Sequence, residues 1–226
     1  MYKKICFFSM MTAVLILCYH ASKEILPAWN STAFPCDIVI DIGHGGADPG
    51  KVGINNALEK DINLAIGMYL YEYLTAAGYR AALTRDSDSS LAEKTASNQK
   101  LSDLKNRTAF INEQAPSALI SIHQNSYPQE NVHGAQVFHS GSTESTFLAS
   151  CIQKHCQRVL NPDNDRQIKA NGDYYLFRHV FCPAVIVECG FLSNYEEANL
   201  LITEEYQKKA AWAIHMGIVQ FLKTLE

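Results

Sequence analysis

The run Ile38-Val-Ile-Asp-Ile42, followed at once by Gly43-His-Gly-Gly-Ala-Asp-Pro-Gly50, constrains the fold more than any other stretch of this chain. A strand from Asp37 to Ile42 carries isoleucine or valine on both alternating faces, so both faces need covering. Such a run suits a strand inside a sheet that is covered on both sides. The strand stops in a loop of glycines, with one proline and one histidine, His44. Small residues beside an imidazole let a metal ion or substrate approach over bare backbone. A tight turn with an exposed histidine would look the same, so the rest of the chain has to decide.

Strand-like and helix-like segments alternate after that loop, which is the α/β pattern. Ile62, Ile66, Tyr69, Leu70, Tyr73 and Leu74 recur at helical spacing and predict a helix over 59–77, with Gly78 placed to end it. Strands are expected at 79–84, 118–122, 134–139 and 184–187, with polar loops at 86–100 and 161–173, the latter able to lie over a groove. Further helices are expected at 101–113, with Leu104, Thr108 and Ile111 inward, at 143–160, and as a pair within 195–225. The fold class is therefore α/β, in one domain.

With 226 residues and no internal repeat, one sizeable core is the natural reading. A net charge of -4 without a long basic run argues against nucleic acid as the main partner. Lys3 and Lys4 precede an apolar stretch ending at Cys18, shorter than the roughly 20 residues that comfortably span a bilayer. Residues 1–22 thus read as a signal peptide or an N-terminal membrane anchor, 23–35 as a connector and 36–226 as the catalytic domain, acting outside the cytoplasm. Tyr19 and His20 are poor for cleavage, and Leu17 disfavours lipid modification of Cys18. Beyond the leader stand Cys36, Cys151, Cys156, Cys182 and Cys189, an odd number without CxxC spacing, which read mostly as small buried apolar residues. Cys151 and Cys156, five apart on one helix, are not expected to share a face.

His44, His123 and Glu188 fall at or just beyond the C-terminal ends of expected strands, the edge where open α/β sheets bind ligands. Glu59 stands in the first turn of the helix after the His44 loop. Two imidazoles and a carboxylate suit Zn2+ with a position left for water, and such a metal acidifies water for attack on a carbonyl. A second carboxylate is then needed to move the proton. Glu188 suits this, because the apolar run before it would raise its pKa, yet Glu59 and Glu188 can exchange roles on these grounds alone. Each residue also has an ordinary reading: Glu59 at a helix dipole, His123 as a bonded strand-end histidine, Glu188 paired with Arg85, Arg107 or Arg178. His133, His139, His155, His179 and His215 read as surface or structural residues, His133 being the best spare ligand.

Four blocks in order, Ile40-Asp-Ile-Gly-His-Gly-Gly-Ala-Asp-Pro-Gly50, Glu59-Lys-Asp-Ile-Asn-Leu64, Ser121-Ile-His-Gln-Asn-Ser126 and Val185-Ile-Val-Glu-Cys-Gly-Phe-Leu-Ser-Asn194, resemble the zinc-dependent N-acetylmuramoyl-L-alanine amidases of the Amidase_3 family. The resemblance runs from about Cys36 to the C-terminus. It implies a three-layer α/β domain with a twisted, mostly parallel sheet between helices. It also implies His44, Glu59 and His123 as zinc ligands, with Glu188 as catalytic acid/base. The implied reaction cleaves the amide between the lactyl group of N-acetylmuramic acid and L-alanine in peptidoglycan. Arg178 matches a family arginine and is expected near a substrate carboxylate. Ile42 replaces a usual proline, Gln124 a commonly small residue and Cys189 an apolar one. The short layout most resembles the germination-specific branch that prepares muramic δ-lactam in spore cortex. Two rival readings are a zinc peptidase cutting within stem peptides and a non-catalytic wall-binding module. No protein activator is named by the sequence.

Overall fold

The computed structural model describes residues 36–225. The leader and connector readings lie outside the described residues. Twelve elements follow in order: β1 (Ile38–Ile42), α1 (Glu59–Ala76), β2 (Ala81–Leu83), α2 (Gln99–Gln114), β3 (Ala118–Asn125), β4 (Gln136–His139), α3 (Thr143–Leu160), β5 (Lys169–Ala170), α4 (Tyr175–His179), β6 (Ala184–Phe191), α5 (Tyr195–Leu201) and α6 (Glu204–Leu222). They form a six-stranded sheet in the order β2-β1-β3-β6-β4-β5. Every neighbouring pair is parallel except β4 against β6, so the sheet is mostly parallel, as the sequence predicts.

The sheet is covered on both faces, and unequally. Ile38, Ile40 and Ile42 of β1, Ile120 and Ile122 of β3, and Val185 and Val187 of β6 point into the main core, which is closed by α1, α3 and α6. Val39, Leu119 and Ala184, from the alternate positions, join a much smaller cluster with Ile111 of α2 and Leu176 of α4. Period-two alternation then puts Asp41, Ser121, His123 and Glu188 on this second, thinly covered face. Those polar side chains stand on the side where two helices leave part of the sheet open.

Local chemistry explains where the helices start. Asn98, Ser142, Asn194 and Thr203 each accept a backbone N–H bond at the head of a helix. α1 lacks a capping side chain but carries Glu59 and Asp61 in its first turn, where the helix dipole favours negative charge. The Asn98 cap also explains why α2 begins two residues before the expected position.

Two expectations need correction. β3 and β6 run past His123 and Glu188, because Asn125 still pairs with Phe191 across a register shift. His123 and Glu188 are therefore register partners within the sheet rather than strand-end residues. The polar loop 161–173 contains the two-residue strand β5, and a short helix, α4, follows it. Cys151 and Cys156 are both buried, on a helix that packs against the sheet on one flank and α6 on another. The five cysteines are free thiols, four of them buried, as their apolar reading predicts.

Candidate metal centre

The loop after β1 brings His44 into reach of α1 and β3. His44 has a φ of 62°, a left-handed conformation uncommon for a residue with a side chain and concentrated at functional positions. Its Nδ1 lies 2.9 Å from Asp48 Oδ2, which turns Nε2 toward Glu59 Oε2 at 3.1 Å. His123 Nδ1 approaches the other oxygen, Glu59 Oε1, at 3.0 Å. The two imidazole rings are 5.0 Å apart and nearly perpendicular, at 78°. One ligand atom from each of His44, Glu59 and His123 thus falls within 4.8 Å of the others.

Glu59 is held from every side. Its Oε2 accepts the Lys51 N–H at 2.7 Å, and its Oε1 accepts the Gln124 N–H at 3.0 Å. Asn63, one helical turn on, reaches Oε1 at 3.5 Å and donates to the Gly43 carbonyl at 3.2 Å. Gln124 Nε2 in turn donates to Asn63 Oδ1 at 3.0 Å. Burial alone would raise the Glu59 pKa, but the bonds from His123 and His44 outweigh it and hold the carboxyl far below its usual range. Burial likewise opposes charge on His123, and Glu59 overrides it, so His123 is raised. A carboxylate kept ionised between two imidazole nitrogens attracts a cation.

Bare backbone makes the approach possible. A Cβ on Gly43 would collide with the His123 ring. A Cβ on Gly50, at φ +67°, would come within 2.6 Å of both Glu59 Oε2 and His44 Cδ2. The glycines of the loop are therefore steric requirements of the cluster.

Two arginines brace the loop from behind. Arg107 of α2 is 2% exposed. It binds Asp41 Oδ1 at 2.8 Å, Asp103 Oδ2 at 2.5 Å, and the carbonyls of Ile42 at 2.6 Å and His44 at 2.7 Å. Asp41 also accepts from Ser121 at 2.7 Å and Thr84 at 3.0 Å. Burial works against the ionised Asp41, yet Arg107 and Ser121 keep its pKa below normal. Arg85 adds bonds to the carbonyls of Ile42, Gly43 and Lys60. Nothing in the composition of the sequence marks these two arginines as loop braces; the pairing of β1 with β2 brings Arg85 there, and the packing of α2 brings Arg107.

Glu188 faces the same cleft from β6. Its Oε2 is buried without a hydrogen-bond partner among the described residues. Burial, reinforced by the negative Glu59, pushes its pKa up to about 7, with His123 pulling the other way. None of the three arginines pairs with it, since Arg85 and Arg107 are engaged as above and Arg178 is exposed and bound to Asp173. His133 lies outside the cluster, its Nδ1 near the Asn131 carbonyl.

A cleft of about 360 Å3 contains these groups. Tyr174, Tyr175 and Leu176 from α4 and its start form one wall, and Leu104 of α2 contributes to another. The residues after the 161–173 loop line the groove, in place of the loop itself. The donor set fits a metal ion: ligand atoms around tetrahedral Zn2+ lie about 3.4 Å apart, and each imidazole nitrogen is 3.0 to 3.1 Å from a Glu59 oxygen. A buried carboxyl with an unpartnered oxygen stands beside it.

Comparison with known proteins bears on this geometry. Residues 38–220 match the family model Amidase_3, described as N-acetylmuramoyl-L-alanine amidase. The chain is 35% identical over 230 aligned residues to the germination-specific N-acetylmuramoyl-L-alanine amidase of Bacillus subtilis, covering 98% of this chain and 96% of that one. Among solved structures, it is similar to the CwlD amidase of Clostridioides difficile, determined in complex with the GerS lipoprotein. That likeness has a TM-score of 0.81 and 39% identity, over 84% of this chain and 99% of that one. It is also similar to the amidase AmiC2 of Nostoc punctiforme, with a TM-score of 0.73 and 28% identity, over 84% of this chain and 98% of that one.

Proposed function

Because the chain belongs to the Amidase_3 family of N-acetylmuramoyl-L-alanine amidases, we propose that it is a zinc enzyme cutting the amide between the N-acetylmuramic acid lactyl group and L-alanine in peptidoglycan, outside the cytoplasm. The observation that carries the zinc assignment is the convergence of His44 and His123 on the Glu59 carboxylate beside Glu188, whose Oε2 is partnerless. His44, Glu59 and His123 would hold the ion. When bound, Zn2+ supplies a Lewis acid that polarises a carbonyl and acidifies a water molecule.

The chain's own residues do the rest. Asp48 fixes the His44 tautomer so that Nε2 stays free for the ion. Glu188, with a pKa near neutrality, takes a proton from the attacking water and passes it to the departing alanine nitrogen. The water oxygen bonds to the lactyl carbonyl carbon as the C–N bond breaks, leaving a carboxylic acid and a free amine. Apolar Leu104, Leu176 and Ile186 in the lining lower the dielectric around that transfer.

Mass spectrometry of fragments released from defined peptidoglycan, with and without a chelator, tests bond and metal together. New L-alanine amino termini that disappear on chelation are expected. Cuts inside the stem peptide would favour the peptidase reading, and no release would favour the wall-binding module. Glu188→Gln should retain zinc and lose turnover by about 10²- to 10⁴-fold; release at the parent rate would remove Glu188 from the mechanism.

The similarity to the germination-specific enzyme, spanning nearly the full length of both chains, supports a role in forming spore-cortex muramic lactam. Expression in spores lacking their own such amidase should restore the lactam in cortex digests.

A further inference from the structure

A second groove, of about 410 Å3, lies beyond the C-terminal ends of β1, β3 and β6. Its walls are residues 51–54, 126–128, 130 and 192–193. These are the continuations of the three segments that carry His44, His123 and Glu188, so the groove adjoins the metal centre through covalent chain on three sides. Lys51 itself supplies the N–H that binds Glu59. Parallel strand ends of this kind are where open α/β sheets bind ligands.

Hydrogen bonds tie the walls of the groove to one another. Ile54 N–H donates to the Leu192 carbonyl at 2.9 Å, Tyr127 N–H to Ser193 Oγ at 2.9 Å, and Asn194 Nδ2 to the Glu130 carbonyl at 2.7 Å. On this pinned backbone Val52, Ile54 and Tyr127 are 46%, 43% and 51% exposed. Large apolar side chains held in the open on fixed backbone mark a binding surface. Lys51 and Glu130 stand on different walls, and neither forms an ion pair among the described residues.

We propose that this groove binds the peptide arm of the substrate, with Val52, Ile54 and Tyr127 under its backbone and Lys51 and Glu130 receiving a residue that carries both a carboxylate and an ammonium group. The proposal rests on the amidase reading for the identity of the peptide. The 360 Å3 cleft at the metal centre is near the lower limit for a small-molecule site, so a branched polymer has to extend beyond it. Three exposed apolar side chains, with a cation and an anion on different walls, match a stem peptide whose diamino acid is zwitterionic, and fit a neutral glycan less well.

The test is equilibrium titration of the full, zinc-loaded chain with the free tripeptide L-alanyl-γ-D-glutamyl-diaminopimelate. The dipeptide lacking the third residue and the tripeptide acetylated on its side-chain amine serve as comparisons. The parent should prefer the tripeptide to the dipeptide by about tenfold or more, and acetylation should remove part of that preference. Lys51→Met and Glu130→Gln should each reduce it by about three- to fivefold. Equal binding of di- and tripeptide, or an unchanged preference in both variants, would overturn the proposal. So would a concentration-dependent dimer in sedimentation that Ile54→Arg abolishes, which would assign the groove to a second copy of the chain. Failure of the parent to cut the muramoyl amide would instead refute the activity, and the titration reads peptide binding independently of it.

Discussion

Glu188 is the residue whose environment most directly links stability to the proposed chemistry. Its carboxyl ordinarily titrates near 4.5 and is raised to about 7 here, chiefly by burial. A raised carboxyl destabilises the fold only when ionised. The penalty is absent below the unfolded value, grows between the two values and is complete above about 7. In chelator-treated protein, Glu188→Gln should therefore raise the unfolding free energy by roughly 3 kcal/mol near pH ~8 and by almost nothing near pH ~4. Urea unfolding at the two pH values checks this, and equal gains at both would show that ionisation is not the cause. Gly50→Ala acts at the same scale. Its Cβ would press on Glu59 and His44 from a left-handed backbone, so zinc affinity measured against a competing chelator should fall by about 10- to 100-fold. At this scale the sequence was informative where position added to residue type: His44, His123 and Glu188 near expected strand ends and Glu59 at a helix start pointed to one edge of the sheet. It was silent on Asp41 and Arg107, because an acid inside an isoleucine run and an arginine on a helix have many uses until the sheet register sets them 2.8 Å apart.

The elements differ in how much of their placement could be read in advance. β1 and α1 were legible because an apolar run and a helical repeat leave few alternatives. α4 was not, since five residues are too few for periodicity to register and its aromatic sequence fits strand as well as helix. The ends of β3 and β6 were misjudged because a strand continues as long as its neighbour offers partners, and polar His123 and Glu188 face a cleft that accepts them. α2 contributes most by bracing: Arg107 joins it to β1 and to the His44 loop. Arg107→Met would leave Asp41 charged, buried and unpaired, and should cost about 3–5 kcal/mol in chemical denaturation. Because the folded Asp41 pKa is depressed, its stabilisation is present above the unfolded value and is lost as pH falls toward the folded one. The parent should lose stability in acid, and the variant should lose less. On α1, Asn63→Ala removes the link between Gln124, Gly43 and Glu59, and should weaken zinc binding by about tenfold in the same chelator competition.

Across the whole molecule, one face of the sheet supplies the bulk of the core and the other supplies the site. The main cluster joins residues from α1, α3, α5 and α6 with the sheet, whereas the second contains few buried side chains. That division lets polar groups stand on a strand without interrupting the core that holds the strand. We expect residues 36–226, produced alone, to unfold at the parent urea midpoint and to bind zinc with the parent affinity; a midpoint shifted by more than experimental error would place part of the folding unit before Cys36. The sheet also ends in strands of only three residues, β2, and two, β5. So few free N–H and C=O groups along its margins give a neighbouring chain little to pair with. The molecule can thus crowd onto an insoluble polymer at high local density without its copies zipping together edge to edge.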